Sequence, residues 1–328
     1  MKLVTVLTVR RTWRVLILRF ALTLSITALR TVAAGDWPQN YIAHKDSDSP
    51  DGRYAVLVLS KKAAIDQDQT EGNTAYLANL QTRQTLGEIT GTDYFEGQNH
   101  RDLSVAWSPD SKWCVVTDWG RFGFASSSIL EPKDSGFTQT DIGERIQKSL
   151  NSLMQKRSHD PEMSGEATPY FRLSSDRKLR VRALTSNNPK QFEDVKTYYA
   201  LFQGTFDVES KKWVTTDARS INSAQADSLE SAYQDNFAKH MIVAAHSEQV
   251  PEDFNGSVFS SEEEKADALD RMMNDVYHAV GFVLPPDRFA KIKEEQITWL
   301  KTRDAAHPAE EKSKLTDKRI RILQDLLW

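Results

Sequence analysis

Within residues 91–107, GTDYFEGQNHRDLSVAW, six chemically capable side chains crowd together: Asp93, Tyr94, Glu96, Asn99, His100 and Asp102. An Asp/Glu pair is the equipment of glycoside hydrolysis, in which one carboxyl protonates the leaving oxygen and the other assists at the sugar. A histidine beside them extends the range of acid–base work. The same residue types also suit a polar binding loop ahead of a strand. Other chemistries are excluded by what is missing. HRDLSVAW imitates a kinase catalytic loop, but Trp107 stands where the metal-binding Asn belongs, and no Gly-rich phosphate loop accompanies it. DSDSPDG, from Asp46, has its carboxylates out of register for a calcium loop and reads as a solvated turn. The seven histidines, at 44, 100, 159, 240, 246, 278 and 307, show no paired metal spacing. The lone Cys114, in WCVVTDW, reads as a small buried hydrophobe on a strand. No catalytic residue, metal or cofactor is assigned.

A second constellation lies near the C-terminal end, in RFAKIKEEQITWLKTRDAA. Phe289, Ile292, Gln296, Trp299 and Arg303 are spaced three, four, three and four apart, which places them on one face of a helix. Gln296 and Arg303 therefore lie along the apolar stripe with Trp299 between them. Buried amide and guanidinium groups need partners. The spacing predicts a network of Gln296, Arg303 and Asp304 with acceptors on the neighbouring helix near Asn274 and Tyr277, around Trp299 as the packing piece.

The elements that position these residues fall into two regions. Residues 36–222 read as strands: RYAVLVLS, LSVAWS, KWCVVTDW, KLRVRAL and TYYALFQGTFDV are runs of β-branched and aromatic residues bounded by turn chemistry. One helix interrupts them, TDIGERIQKSLNSLMQKR, with Asp141 as cap and Ile142, Ile146, Leu150 and Leu153 as its stripe. A weak repeat recurs as SPDGRYAVLV from Ser49, SPDSKWCVVT from Ser108 and SSDRKLRVRA from Ser174. From Ser223 the periodicity turns helical. One helix covers SAQADSLESAYQDNFAKHMIVAAH, a polar loop follows at 247–260, and three more helices run to the end. Leu269, Met272, Val276 and Val280 stripe the first of these. Leu315, Ile322 and Leu326, beside Ile320, Leu323 and Leu327, stripe the last. Short connections imply an antiparallel bundle. The expected fold class is α+β in two domains: an antiparallel β-rich domain at 35–222, a sandwich or partial propeller, and a small helical bundle at 223–328.

Two resemblances attach to these motifs. The Ser-Pro-Asp pieces are similar to the WD40-like, TolB-type propeller repeat, although spacings of 59 and 66 residues exceed that repeat's period and three copies do not close a standard propeller. The segment MNDVYHAV…LPPDRFAKIKEEQITWLKTRDAA resembles the helical domain of lysozyme inhibitors of the LprI type. The matching positions are Asn274, Tyr277, Gln296, Trp299, Arg303 and Asp304. The family carries cysteines around this domain, whereas RDAAHPAEE has none.

Residues 1–34 have Lys2, Arg10, Arg11 and Arg14, no acid before Asp36, and an apolar run that ends in TVAAG. Val32 and Ala34 are the small residues that precede a signal-peptidase cut. The run, interrupted by Arg19, reads as a cleaved leader rather than an integral span. Thr-Trp-Arg after the Arg10–Arg11 pair fits the general secretory route better than twin-arginine export. Without the leader the chain has 36 Lys/Arg against 46 Asp/Glu. That acidity disfavours nucleic acid and suits a basic protein partner. The sequence thus points to a periplasmic or secreted binding protein without catalytic activity. What the LprI resemblance implies is a lysozyme-type partner. The alternative is an envelope hydrolase using the acidic and histidine side chains of 91–107.

Overall fold

The computed structural model describes residues 37–67, 73–121, 123–187, 197–233 and 261–328. The expected leader at 1–34, the loop at 247–260, and His240 and His246 lie outside the described residues.

Three four-stranded antiparallel meanders follow one another along the chain. The first comprises β1 (Tyr41–Ala43), β2 (Tyr54–Leu59), β3 (Ala75–Asn79) and β4 (Gln84–Ile89), with the short helix α1 (Lys61–Asp66) after β2. The second comprises β5 (Asp102–Trp107), β6 (Cys114–Gly120), β7 (Gly123–Lys133) and β8 (Gly136–Asp141). Helix α2 (Gly143–Ser158) leads into the third, β9 (Gly165–Leu173), β10 (Lys178–Asn187), β11 (Tyr199–Asp207) and β12 (Lys212–Ile221). The helical part contains α3, described over 223–233, then α4 (Glu262–Val283), α5 (Pro286–Ala305) and α6 (Ala309–Leu326).

The three Ser-x-Asp pieces are the same turn used three times, each between the first and second strand of its sheet. The third residue after each serine returns its N–H to the serine carbonyl: Gly52 to Ser49, Ser111 to Ser108, Arg177 to Ser174. Each serine hydroxyl donates to the Asp two residues on, Asp51, Asp110 or Asp176. The same Asp then accepts the N–H of the residue that leads into the strand, Arg53, Lys112 or Lys178. The last turn residue takes a left-handed φ in every copy: 65° at Gly52, 57° at Ser111 and 59° at Arg177. Glycine adopts that conformation without steric cost. Ser111 and Arg177 adopt it against their own preference, with the hydroxyl–carboxylate bond closing the turn.

Strand alternation then builds a stack. Val56, Val58, Leu77 and Ile89 of the first sheet pack on Leu103, Trp107, Cys114 and Val116 of the second. The intervening positions, Trp113 and Val115, face the other way. With Ile129 they meet Phe171, Leu179, Val181 and Phe202 of the third sheet and Ile146, Leu150 and Met154 of α2. The far face of the third sheet presents Tyr170, Leu184 and Leu201 to the helices. Sheets stacked face to face in chain order resemble successive propeller blades more than a two-sheet sandwich.

The helices bury Leu229, Tyr233, Met273, Val276, Val280, Ile320, Leu323 and Leu327 in the cluster that includes Tyr170, Leu184 and Leu201. The boundary expected after Asn222 coincides with the end of β12, but the apolar core runs across it. In α6 the stripe is Ile320, Leu323 and Leu327, while Ile322 points outward at 43% exposure. Ser313, Thr316 and Arg319, all buried, continue that inward face, so its polar turns hid the register from a count of apolar residues alone. Arginines of the third sheet hold the helix ends. Arg182 Nε donates to Leu327 O at 3.0 Å and its Nη2 to Trp328 O at 2.6 Å. Arg219 donates to Phe282 O at 2.9 Å, and Arg172 pairs with Asp325 at 2.6 Å. The last carbonyls of a helix lack intrahelical donors and carry the negative end of its dipole, so guanidinium groups suit them. Among the described residues, no helix is long and apolar enough to cross a membrane.

Candidate functional site

Residues 91–101 form the connection from the first sheet to the second, and the structure divides the six expected side chains into two groups. Asp93, Tyr94 and Glu96 are engaged within the protein. Asp93 Oδ1 accepts the Asn73 N–H at 2.9 Å, and its Oδ2 lies 3.4 Å from Arg101 Nη1. Tyr94 is buried in the core between the first two sheets, edge-on to His44 at 5.5 Å, and its hydroxyl accepts the Gly97 N–H. Glu96 Oε2 accepts the N–H of Lys61, the first residue of α1. Asn99, His100 and Asp102 are exposed, and His100 holds a left-handed φ of 60°. Asp102 accepts the N–H of Leu103 next to it.

The residue that organises this loop is Asp118 of β6. Its Oδ2 accepts the Asp93 N–H at 2.7 Å and Arg101 Nη2 at 3.0 Å. Arg101 therefore bridges two carboxylates, and Asp118, 1% exposed, ties the loop to the second sheet. The only sign of it in the sequence is an acid inside the apolar run WCVVTDW; its partners lie far away in the chain. Several buried polar atoms around the tie have no partner among the described residues: Asp118 Oδ1, Arg101 Nε, and both ends of the Asn73 amide. Such groups are the places where ordered water sits in folded proteins. Among the described residues, no group of three or more His, Cys, Asp or Glu side chains could hold a metal ion. Cys114 is fully buried, and burial raises its thiol pKa, which suppresses the reactive thiolate.

Burial pushes the Asp118 carboxyl above its ordinary value of 3.8, against the opposing pull of the Asp93 N–H and Arg101. A raised acid pKa means that the folded state binds the proton more tightly than the unfolded chain. This group's contribution to stability is therefore complete below the unfolded value and falls as pH rises from 3.8 to the raised value. Subtracting the melting-versus-pH curve of Asp118→Asn from that of the native protein should leave a downward slope over that window. A flat difference would mean that burial does not perturb Asp118.

The second candidate site is on α5, where Gln296, Trp299 and Arg303 share the face that the spacing requires. Gln296, 5% exposed, is its buried member. Its Nε2 donates to Met273 Sδ at 2.9 Å on α4, and its Oε1 accepts Arg319 Nε at 2.8 Å from α6. One amide thereby joins three helices. Arg319 is also buried, and its Nη1 lies 3.7 Å from the exposed Glu295. Trp299 packs partly against the bundle core. Arg303 lies over the Trp299 ring, 5.3 Å from its centre, in cation–π range. It donates to Asp304 Oδ1 from Nε and Nη2 and to Asp270 Oδ1 from Nη1 at 2.5 Å. Tyr277 packs on Phe289 at 5.2 Å, and burial raises its pKa. Asn274 is exposed on α4. In place of the single expected network there are two sets of bonds: Gln296 joins Met273 and Arg319, and Arg303 joins Asp304 and Asp270, with neither Asn274 nor Tyr277 among these partners. No known family model and no curated protein matches the chain.

Proposed function

We propose that this chain is an exported binding protein of the cell envelope, working without catalysis, and that the α4–α5 face receives a basic protein of the lysozyme kind. The observation that carries this reading is the acidic rim around a partly exposed Trp–Arg pair. Asp270 and Asp304, with side chains 44 and 63% exposed, pair with Arg303, and Glu295, 59% exposed beside Arg319, precedes Trp299 by one helical turn. Tryptophan and arginine are the side chains that most often carry binding energy at interfaces. Clustered carboxylates raise the encounter rate with a cation and choose among partners. Residues 223–328 hold 20 Asp/Glu against 13 Lys/Arg, so the wider field has the same sign. The LprI resemblance at Gln296, Trp299, Arg303 and Asp304 points to the same class of partner, and the leader-like residues 1–34 support export.

In the hydrolase alternative, Glu96, His100 and Asp102 are the exposed titratable groups that residues 91–101 and the start of β5 offer to a substrate. Asp93 and Glu96 are bound to backbone N–H groups.

Two variants separate an interface from a purely structural motif. Trp299→Ala should cost about 1.5–2.5 kcal/mol, roughly half the loss for a fully buried Trp, and should also abolish partner binding. Asp304→Asn should leave the melting midpoint almost unchanged, because exposed ion pairs contribute little, yet weaken binding several-fold. If Asp304→Asn binds as well as the native protein, the acidic rim is not the contact surface.

A further inference from the structure

We propose that the groove between the start of β7 and the first two turns of α2 is a saccharide-binding site. The groove is shallow and open to solvent, with a volume of about 460 Å³. Phe124, Ser126, Asp141, Gln147, Lys148 and Asn151 line it. It lies outside the loop at 91–101 and outside α4–α6, so it stands or falls independently of the protein partner proposed above.

The hydrogen-bond pattern decides the ligand class. Gln147 Nε2 donates to Asn151 Oδ1 at 2.8 Å and to Gly165 O at 3.2 Å, which uses both of its hydrogens. Its Oε1 remains as an acceptor. Asn151 Oδ1 also accepts the Gly165 N–H at 3.4 Å, which leaves its Nδ2 as a donor. One helical turn therefore offers a fixed acceptor and a fixed donor side by side. Asp141 Oδ1 is taken by the Glu144 N–H, so Oδ2 is the acceptor that Asp141 adds, and Lys148 adds a donor. An anionic ligand would use the donors and meet Asp141 and Glu144. A cationic ligand would use the acceptors and meet Lys148. A hydroxyl both donates and accepts, so neighbouring ring hydroxyls use the whole set. Phe124 supplies the apolar wall for the C–H face of a sugar ring.

The wall is held in place by close packing. A Cβ at Gly143 would lie 2.9 Å from Phe124 Cε2 and 3.0 Å from the Ser127 backbone nitrogen. The missing side chain lets the first turn of α2 approach β7 with Phe124 turned along the groove.

The test uses the leaderless protein and three soluble probes: β-1,4-linked N-acetylglucosamine tetramer, cellotetraose and maltotetraose. Binding is read by saturation-transfer NMR and by titration. At least one probe should bind, and Asn151→Asp, which keeps the acceptor and removes the donor, should weaken it by about tenfold, the worth of one good hydrogen bond. Phe124→Ala should abolish it, with Asn151→Asp serving as the readout if that variant melts early. Absence of binding to all three at about 10 mM, an affinity of only a few kcal/mol, would overturn the proposal. So would binding that Asn151→Asp leaves unchanged.

Discussion

Trp113→Ala is expected to lower stability by about 3–5 kcal/mol, the range for emptying a fully buried aromatic position. Trp113 is completely buried, the largest such side chain described, and lies in the cluster shared by the second sheet, the third sheet and α2. Its backbone also closes the second Ser-x-Asp turn, exchanging hydrogen bonds with Ser108. The indole N–H has no partner among the described residues. Trp113→Phe should therefore recover most of the loss, because it refills much of the volume without an unsatisfied donor. Urea unfolding of both variants checks this. Equal losses would mean that ring volume is not what holds the sheets together.

Arg182→Met should cost about 2–4 kcal/mol, because Trp328 O loses the guanidinium bond and Leu327 O is left with the longer bond, 3.4 Å, from the Tyr233 hydroxyl. Methionine has similar length and removes a buried charge, and burial already lowers the pKa of this guanidinium. The relief of that charge offsets part of the loss. It cannot replace the bonds to Leu327 O and Trp328 O, nor the stacking of the guanidinium over the Trp328 ring at 5.7 Å. The variant should melt earlier, with the signals of α6 lost together with those of the third sheet. Unchanged melting would show that α6 docks through apolar packing alone.

The two regions, the longer helices and five of the twelve described strands (β2, β5, β6, β10 and β11) are legible from periodicity, whereas the shorter or more polar strands between them are not. Cys114 and Val116 of β6 alternate with Val115 and with Trp113 just before the strand, and both sets are buried because sheets lie on both faces. Repetition of Ser-x-Asp marks the turn, and the turn recurs at the same place in each sheet. Long-range pairing is another matter. Arg182 lies in KLRVRAL, where alternation alone marks a solvent-facing position; helices nearly 150 residues onward cover it. Asp118 and Arg101 find each other only once the connection at 91–101 folds back on β6. On α5 the spacing gives the shared face of Gln296, Trp299 and Arg303, but the partner of Gln296 comes from α6, which a helical period cannot identify. The change of period near Asn222 is visible in the sequence, whereas the continuity of the core across it depends on which face of the third sheet the helices cover.

The most direct test of the proposed binding role is a titration of hen-type lysozyme with the leaderless protein, residues 35–328, at low and high ionic strength, with lytic activity followed in parallel. Binding at micromolar protein and slowed lysis are expected at low salt. Both should weaken as salt rises towards about 0.5 M, where the screening length falls to a few ångströms. No binding and no slowing at low salt would contradict the role, as would an affinity that salt does not change.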